Sequence, residues 1–266
     1  MQSPFDKIAP NYDELFTNTA IGKLQRNIIC KYLDESLPIN KQLNILELNC
    51  GTGEDAVYFA KKGFGVVATD VSEEMLKITE EKINKFGLSN YITIKKLDLT
   101  NPSDFNFEQK FDLVFSNFGG LNCVDKESLK NLSMVISSIL NDRGRIIFVI
   151  MPKFSFWDSF YFLLKMKLNK VFRRASSKPL NVNLNGENFQ TFYYSPKEIV
   201  TTFGNKFKVQ NIKPVGFLIP PSFLNNFFLK KKKTLLMLDT FESSVSNISF
   251  LANLSDHFLI DMELIR

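Results

Sequence analysis

The chain has 266 residues, of which 44% are hydrophobic and 23% charged, enough for one large core and too apolar for a disordered chain. No apolar stretch reaches the roughly 20 residues that span a bilayer, since RIIFVIMP and FWDSFYFLLKMKL are cut by Pro152 and by lysines. A single histidine, His257, makes zinc sites, facial-triad iron and Ser-His-Asp triads hard to build, so no metal is expected.

The amino terminus carries acids where a secretory signal would need a basic region. Cys30, Cys50 and Cys123 are widely spaced and odd in number, as expected of reduced thiols. A cytoplasmic location is the expectation. Residues 1 to 150 hold 17 Lys/Arg against 20 Asp/Glu, whereas residues 151 to 266 hold 16 against 8 and 16 of the 27 Phe. The basic, aromatic character therefore belongs to the second half.

The first forty residues read as helical, with Pro10 and Asn11 before YDELF and a second pattern, IGKLQRNIICKYLDESL, ending at Pro38. LNILEL, residues 43 to 48, is the first strand, followed by EDAVYFAKKG as helix and FGVVATD as strand. Ser72 is placed to cap a helix over SEEMLKITEEKINKFG, with Glu73 and Glu74 in its first turn and Gly87 as its stop. YITIKKLDL is the third strand, FDLVFSN the fourth, ESLKNLSMVISSILND a helix, Gly144 its terminating turn, and RGRIIFVIMP the fifth strand. Apolar strands alternating with amphipathic helices predict a parallel sheet covered on both faces, a doubly wound Rossmann-like fold.

After Pro152 the rhythm changes. The aromatic and basic stretch FSFWDSFYFLLKMKLNKVFRRASSK and the Asn-rich stretch PLNVNLNGENFQ, expected as a loop, form a lid insertion over residues 153 to 190. SPKEIVTTFG is a helix capped by Ser195. FKVQNIKPVGFLIPP and HFLIDMELI are the last strands, separated by a Lys-rich helical stretch. One domain is expected: a helical cap (1 to 40), a core (41 to 152), the lid and a carboxy-terminal part of the sheet (191 to 266).

The chemistry centres on ILELNCGTGEDA. Glu47 ends the first strand, Gly51 and Gly53 occupy the following turn, and a helix begins; such a turn lets a nucleotide approach the backbone. Asp70 ends the second strand, where a carboxylate accepts from ribose hydroxyls, and Asp98 ends the third, near an adenine edge. Gly51, Gly53 and Ala56 also satisfy G-x-G-x-x-A, the mark of a dinucleotide site. Glu47 separates the two ligands, since it repels pyrophosphate and attracts an ammonium group. A nucleoside with a cationic amino-acid tail, S-adenosylmethionine, fits.

At LELNCGTG, ATDVSEEML, LDLT and FDLVFSN the chain resembles the class I S-adenosylmethionine-dependent methyltransferases, in particular the small-molecule group that includes quinone- and lipid-methylating enzymes. The resemblance implies a seven-stranded sheet with the last strand antiparallel. It also implies that Glu47, Asn49, Gly51 and Gly53 line the methionine part and that Asp70 holds the ribose. Val71 and Met75 would flank the adenine, and Asp98 with Leu99 would read its amino edge. Asn117 and Phe118 would face the transferring methyl, and Tyr12 would close over the cofactor. Asn49 stands where the family usually has its first glycine, and Asn is the residue that best tolerates left-handed angles after Gly.

An oxygen nucleophile would draw on His257 or a tyrosine such as Tyr193 or Tyr194 as base. The aromatic lid suggests a hydrophobic or aromatic small-molecule acceptor. Lys165, Lys167, Lys170, Arg173 and Arg174, at near-helical spacing, form either a solvated lid face or a peripheral membrane contact. Two other activities share the glycine turn: an NAD-type oxidoreductase and a nucleic-acid methyltransferase. Glu47 opposes the first, and SNFGG, lacking an Asn/Asp-Pro-Pro-Tyr signature, opposes the second, so no nucleic-acid partner is expected. A non-catalytic cofactor-binding scaffold is the fourth reading.

Overall fold

The computed structural model describes residues 3–38, 41–184 and 186–265. The expected boundary of the helical cap at residue 40 lies outside them. The first five strands are β1 (Asn44–Leu48), β2 (Gly65–Asp70), β3 (Ile92–Lys96), β4 (Phe111–Ser116) and β5 (Leu140–Ile150). All pair in parallel. A short hairpin, β6 (Leu180–Leu184) and β7 (Glu187–Thr191), stands apart, and β8 (Phe207–Val215) and β9 (His257–Leu264) complete the main sheet. Its order is β3-β2-β1-β4-β5-β9-β8, with β9 antiparallel to both neighbours.

Helices cover both faces. On one side α2 (Ala20–Ser36), α3 (Glu54–Lys61) and α4 (Glu73–Phe86) pack Ile29, Leu33, Phe59 and Ile83 onto β1, β2 and β4. On the other, α5 (Lys126–Ile139) and α7 (Pro196–Phe203) pack Leu129, Ile136, Ile199 and Phe203 onto β4, β5 and β9. Double coverage explains the near-continuous burial of Ile45–Leu48 and Ile146–Ile150. The strand order reverses between β1 and β4, which stay paired to their last residues, Leu48 and Ser116; the carboxyl ends at such a reversal are the usual ligand crevice of an open parallel sheet.

Several expectations are corrected. The amino-terminal helix α1 (Pro4–Tyr12) starts six residues before Pro10, because Ser3 and Asp6 form a capping box and Pro4 occupies the first turn. β3 ends at Lys96, so Asp98 lies in the turn beyond it, where its N–H donates to Asp104 Oδ2 at 2.9 Å. Gly144 is not a helix stop: α5 runs directly into β5, Arg143 is left-handed at φ 60°, and the strand bulges there. The Asn-rich stretch forms the β6–β7 hairpin. Helix α6 (Phe156–Leu164) ends before the basic residues, which follow in irregular turns; Arg173 and Arg174 turn inward onto Asp158 and Asp256.

Buried Asn122, just after β4, fastens both ends of the 153 to 190 segment. Its amide Nδ2 donates to the carbonyls of Met151 and Phe192, its Oδ1 accepts from Met151 N–H, and its carbonyl accepts from Phe192 N–H. Asn122→Ala leaves the Met151 N–H and the Phe192 carbonyl, both half-buried, without this partner, each costing about 1–3 kcal/mol. We expect a loss of roughly 3 kcal/mol in urea unfolding and faster proteolysis within residues 153 to 190.

Candidate cofactor site

The crevice encloses about 870 Å³, open mouth included. β1 delivers Asn49 and Gly51, β2 delivers Asp70 and Val71, and α4 delivers Met75. Leu97 to Thr100 come from the turn after β3, and Asn117 to Gly120, with Cys123 and Val124, from the segment after β4. Phe5 and Tyr12 close it from α1. Among the described residues the lining holds two carboxylates, Asp70 and Asp98, and no cation.

Asp70 organises the turn. Its Oδ2 accepts from Gly51 N–H and its Oδ1 from Ser72 N–H, both at 2.9 Å. Burial raises its pKa against those two bonds. Asp98 Oδ1 accepts from the Thr100 N–H and hydroxyl, at 2.8 and 2.7 Å. α1 is fixed above by Asp6, which accepts from Ser72 Oγ at 2.6 Å. The turn between α1 and α2 is fixed by Asp13, which accepts from Thr52 Oγ1 at 2.6 Å and pairs with Lys82.

Glu47 and Gly53 stand outside the lining. Glu47 is buried with Oε2 lacking a hydrogen-bond partner among the described residues; burial, reinforced by the charge of Asp55, raises its pKa well above the ordinary value. Gly53 is left-handed at φ 79°, and a Cβ there would sit 2.6 Å from Thr79 Cγ2, so it admits α4 against the turn. Tyr193 lines a separate cleft with Lys153 and Ser177. His257 is buried, its Nδ1 3.3 Å from Asp256 Oδ2 and its ring edge-on to Phe118 at 5.5 Å. Neither joins the cofactor crevice. The other ten expected residues do: Tyr12, Asn49, Gly51, Asp70, Val71, Met75, Asp98, Leu99, Asn117 and Phe118.

The sequence reading missed Phe5, Leu97, Thr100, Gly119, Gly120, Cys123 and Val124. The Ser-Pro-x-Asp capping pattern at Ser3 was a usable signal for Phe5. It also missed Arg26, which pairs with Asp55 while Asn117 Nδ2 donates to the same carboxylate at 2.9 Å. Asn49 and Phe118 are both left-handed, at φ 48° and 43°, and such strain in non-glycine residues concentrates at ligand sites. The Asn49 amide lies against Gly120, where a Cβ would come within 1.6 Å of Asn49 Nδ2.

That interlock is testable. Gly120→Ala collides with the Asn49 amide and should cost about 2 kcal/mol, or roughly 4–8 °C in Tm. Asn49→Gly in the same chain should recover most of the loss, and calorimetry of the single and double variants would measure it.

Residues 45–144 match the methyltransferase domain family. The chain is 28% identical over 240 residues to the uncharacterized protein MJ1252 of Methanocaldococcus jannaschii, covering 84% of this chain and 85% of that one. It is 30% identical over 149 residues to the demethylmenaquinone methyltransferase of Bacteroides fragilis, covering 55% of this chain and 58% of that one. The fold is similar to the crystal structure of an S-adenosylmethionine-dependent methyltransferase from Clostridium acetobutylicum, with TM-score 0.61, 18% identity and coverage of 98% and 99%. Residues 45–144 thus match a methyltransferase domain, and the sheet has the fold of the S-adenosylmethionine-dependent methyltransferase structures.

Proposed function

We propose that the chain transfers a methyl group from S-adenosylmethionine to a hydrophobic or aromatic small molecule. The observation that carries the reading is the lining, in which two carboxylates and no cation are set among apolar side chains and backbone. In this reading Asp70 accepts from the ribose hydroxyls, Val71, Met75, Leu97 and Leu99 flank the adenine, and Asp98 reads its amino edge. Glu47 answers the ammonium group from behind Asn49 and Gly51, and Tyr12 closes the mouth.

When bound, the cofactor supplies an electrophilic methyl group. The chain's own work is to hold an acceptor in line at Asn117 and Phe118 and to exclude water. Tyr12, pushed up to about 12 mainly by burial, is no base at neutral pH, and the lining contains no histidine. The acceptor therefore arrives already nucleophilic, and His257 serves by bracing the Phe118 ring. The demethylmenaquinone methyltransferase relative supports an aromatic acceptor. So do the lid rings of Phe154, Phe156, Phe160 and Tyr161, rooted just past the carboxyl end of β5. An acceptor of this kind partitions into lipid, so a peripheral approach to a membrane belongs to the same reading.

Isothermal titration tests the cofactor: S-adenosylmethionine should bind and NAD should not. Asp70→Ala should weaken binding by about 10- to 100-fold, the loss of a charge-assisted hydrogen-bond pair. Failure of the wild type to bind would sink the reading, and turnover of a hydroquinone panel tests the acceptor class.

The pH dependence has a definite sign. Asp70 and Glu47 act as acceptors when ionised, and burial raises both pKa values. Affinity should rise with pH and fall as the pH drops through these raised values, above the ordinary carboxylate range of about 4. Asp70→Asn should flatten its part of that profile.

A further inference from the structure

The largest unexplained feature lies outside the crevice. Among the described residues 21 large hydrophobic side chains are exposed, and 15 of them fall between Phe156 and Phe250, on the segments around α6, α8 (Asn225–Leu229) and α9 (Lys232–Val245). Exposed apolar residues scattered singly need no explanation; a concentration of them does. Ring contacts join these segments into one surface: Trp157 meets Phe228 at 6.0 Å, Tyr161 meets Phe223 at 5.3 Å, and Phe156 meets Phe217 at 6.2 Å. The Trp157 indole N–H donates to the Leu218 carbonyl at 3.2 Å, which anchors α6 to the loop after β8.

Charge on this surface is sorted. The acids of these segments are Asp158, Asp239 and Glu242. Asp158 is buried and accepts both arms of Arg173. Glu242 is buried and accepts from the N–H groups of Phe217, Leu218 and Ile219 at 2.7–2.9 Å. Only Asp239 is left, half-buried. Lys165, Lys167, Lys170 and Lys230 to Lys233 are all exposed, and none forms an ion pair among the described residues. Elsewhere Lys62, Lys82, Lys96 and Lys153 each hold a carboxylate.

The tip of the surface is held outward. After α6 the backbone turns with Met166 left-handed at φ 54°, closed by Met166 N–H to Leu163 O and Lys167 N–H to Phe162 O. A left-handed non-glycine residue costs about 1–2 kcal/mol, and the turn leaves Met166 81% exposed between Leu164 and Leu168, at 66% and 64%. Apolar side chains that project beside unneutralised lysines match the two layers of an anionic bilayer, acyl chains beneath phosphate headgroups.

We infer that the α6–α8–α9 surface docks on an anionic lipid bilayer. The surface lies at the carboxyl end of β5, on the same sheet edge as the crevice, so docking brings the crevice to a membrane-dissolved acceptor. That consequence rests on the apolar-acceptor reading; the docking itself does not. It uses a composite of three segments and leaves out Arg173 and Arg174, which are committed to buried partners.

Co-sedimentation of the whole protein with vesicles tests the inference. Binding is expected to phosphatidylcholine vesicles containing phosphatidylglycerol, to weaken with added salt, and to be absent on phosphatidylcholine alone. Lys231→Gln/Lys232→Gln/Lys233→Gln and, separately, Met166→Ser/Leu168→Ser should each reduce binding by about tenfold or more. These residues are exposed, so both variants should keep the wild-type Tm and the S-adenosylmethionine affinity. Absence of binding to the anionic vesicles would overturn the proposal, as would equal binding to both lipids or variants that bind like the wild type. A dimer in vesicle-free solution that Met166→Ser/Leu168→Ser dissociates, without vesicle binding, would assign the surface to a second copy and overturn it too. Titration of S-adenosylmethionine in the same samples separates this failure from that of the methyltransferase reading.

Discussion

The buried carboxylate of Asp70 ties together everything around the crevice. One oxygen takes the Gly51 N–H and the other the Ser72 N–H, so the turn after β1 and the start of α4 are fixed by the same group. Ser72 in turn donates to Asp6, which also closes the capping box of α1. Loss of that carboxylate would free the turn, the helix start and the roof together. Its burial carries a desolvation cost, visible in the raised pKa, and a ligand donating to it would offset part of that cost.

A second constraint sits across the crevice, where the backbone leaves β1 and β4. Both exits use left-handed non-glycine residues, Asn49 and Phe118. The two are coupled through space: the Asn49 amide accepts from Ser116 Oγ at 3.0 Å and rests on Gly120. Replacing the usual glycine by asparagine is thus accommodated by a glycine seventy-one positions later. Behind Phe118, Phe16 and His257 stand edge-on and Arg26 lies 5.1 Å from the ring centroid. The wall of the crevice is therefore supported by a buried polar layer, in which Asp256 is held below the usual carboxylate range by His257 and Arg174 against the effect of burial.

That layer also connects the crevice to the lid. Arg174 reaches Asp256 from the segment after α6, and Gln25 on α2 donates to the same carboxylate at 3.2 Å. The lid, the amino-terminal helices and the start of β9 thus meet at one carboxylate. The hairpin adds a second attachment, with Phe189 packed on Phe5 at 4.5 Å and Glu187 paired with Lys7. Residues far apart in sequence roof the crevice because buried charges demand partners.

By itself the sequence determined the alternation of strand and helix, the glycine turn, the acid at the end of β2 and so the expected cofactor class. These are local signals: apolar runs have a period, caps have side chains, and a strand end followed by glycine has few uses. What only the tertiary structure decided was which of these residues face the same space. Glu47 and Gly53 carry the motif yet stand behind the lining, Glu47 buried on β1 and Gly53 leaving room for Thr79 of α4. His257 and Tyr193 look like bases by residue type, but β9 buries His257 behind Phe118 and the hairpin exit places Tyr193 in a separate cleft. The basic run after α6 reads as one amphipathic face, and pairing with Asp158 and Asp256 splits it into inward-paired arginines and exposed lysines. Burial and partner choice depend on the whole packed chain, and no local pattern carries that information.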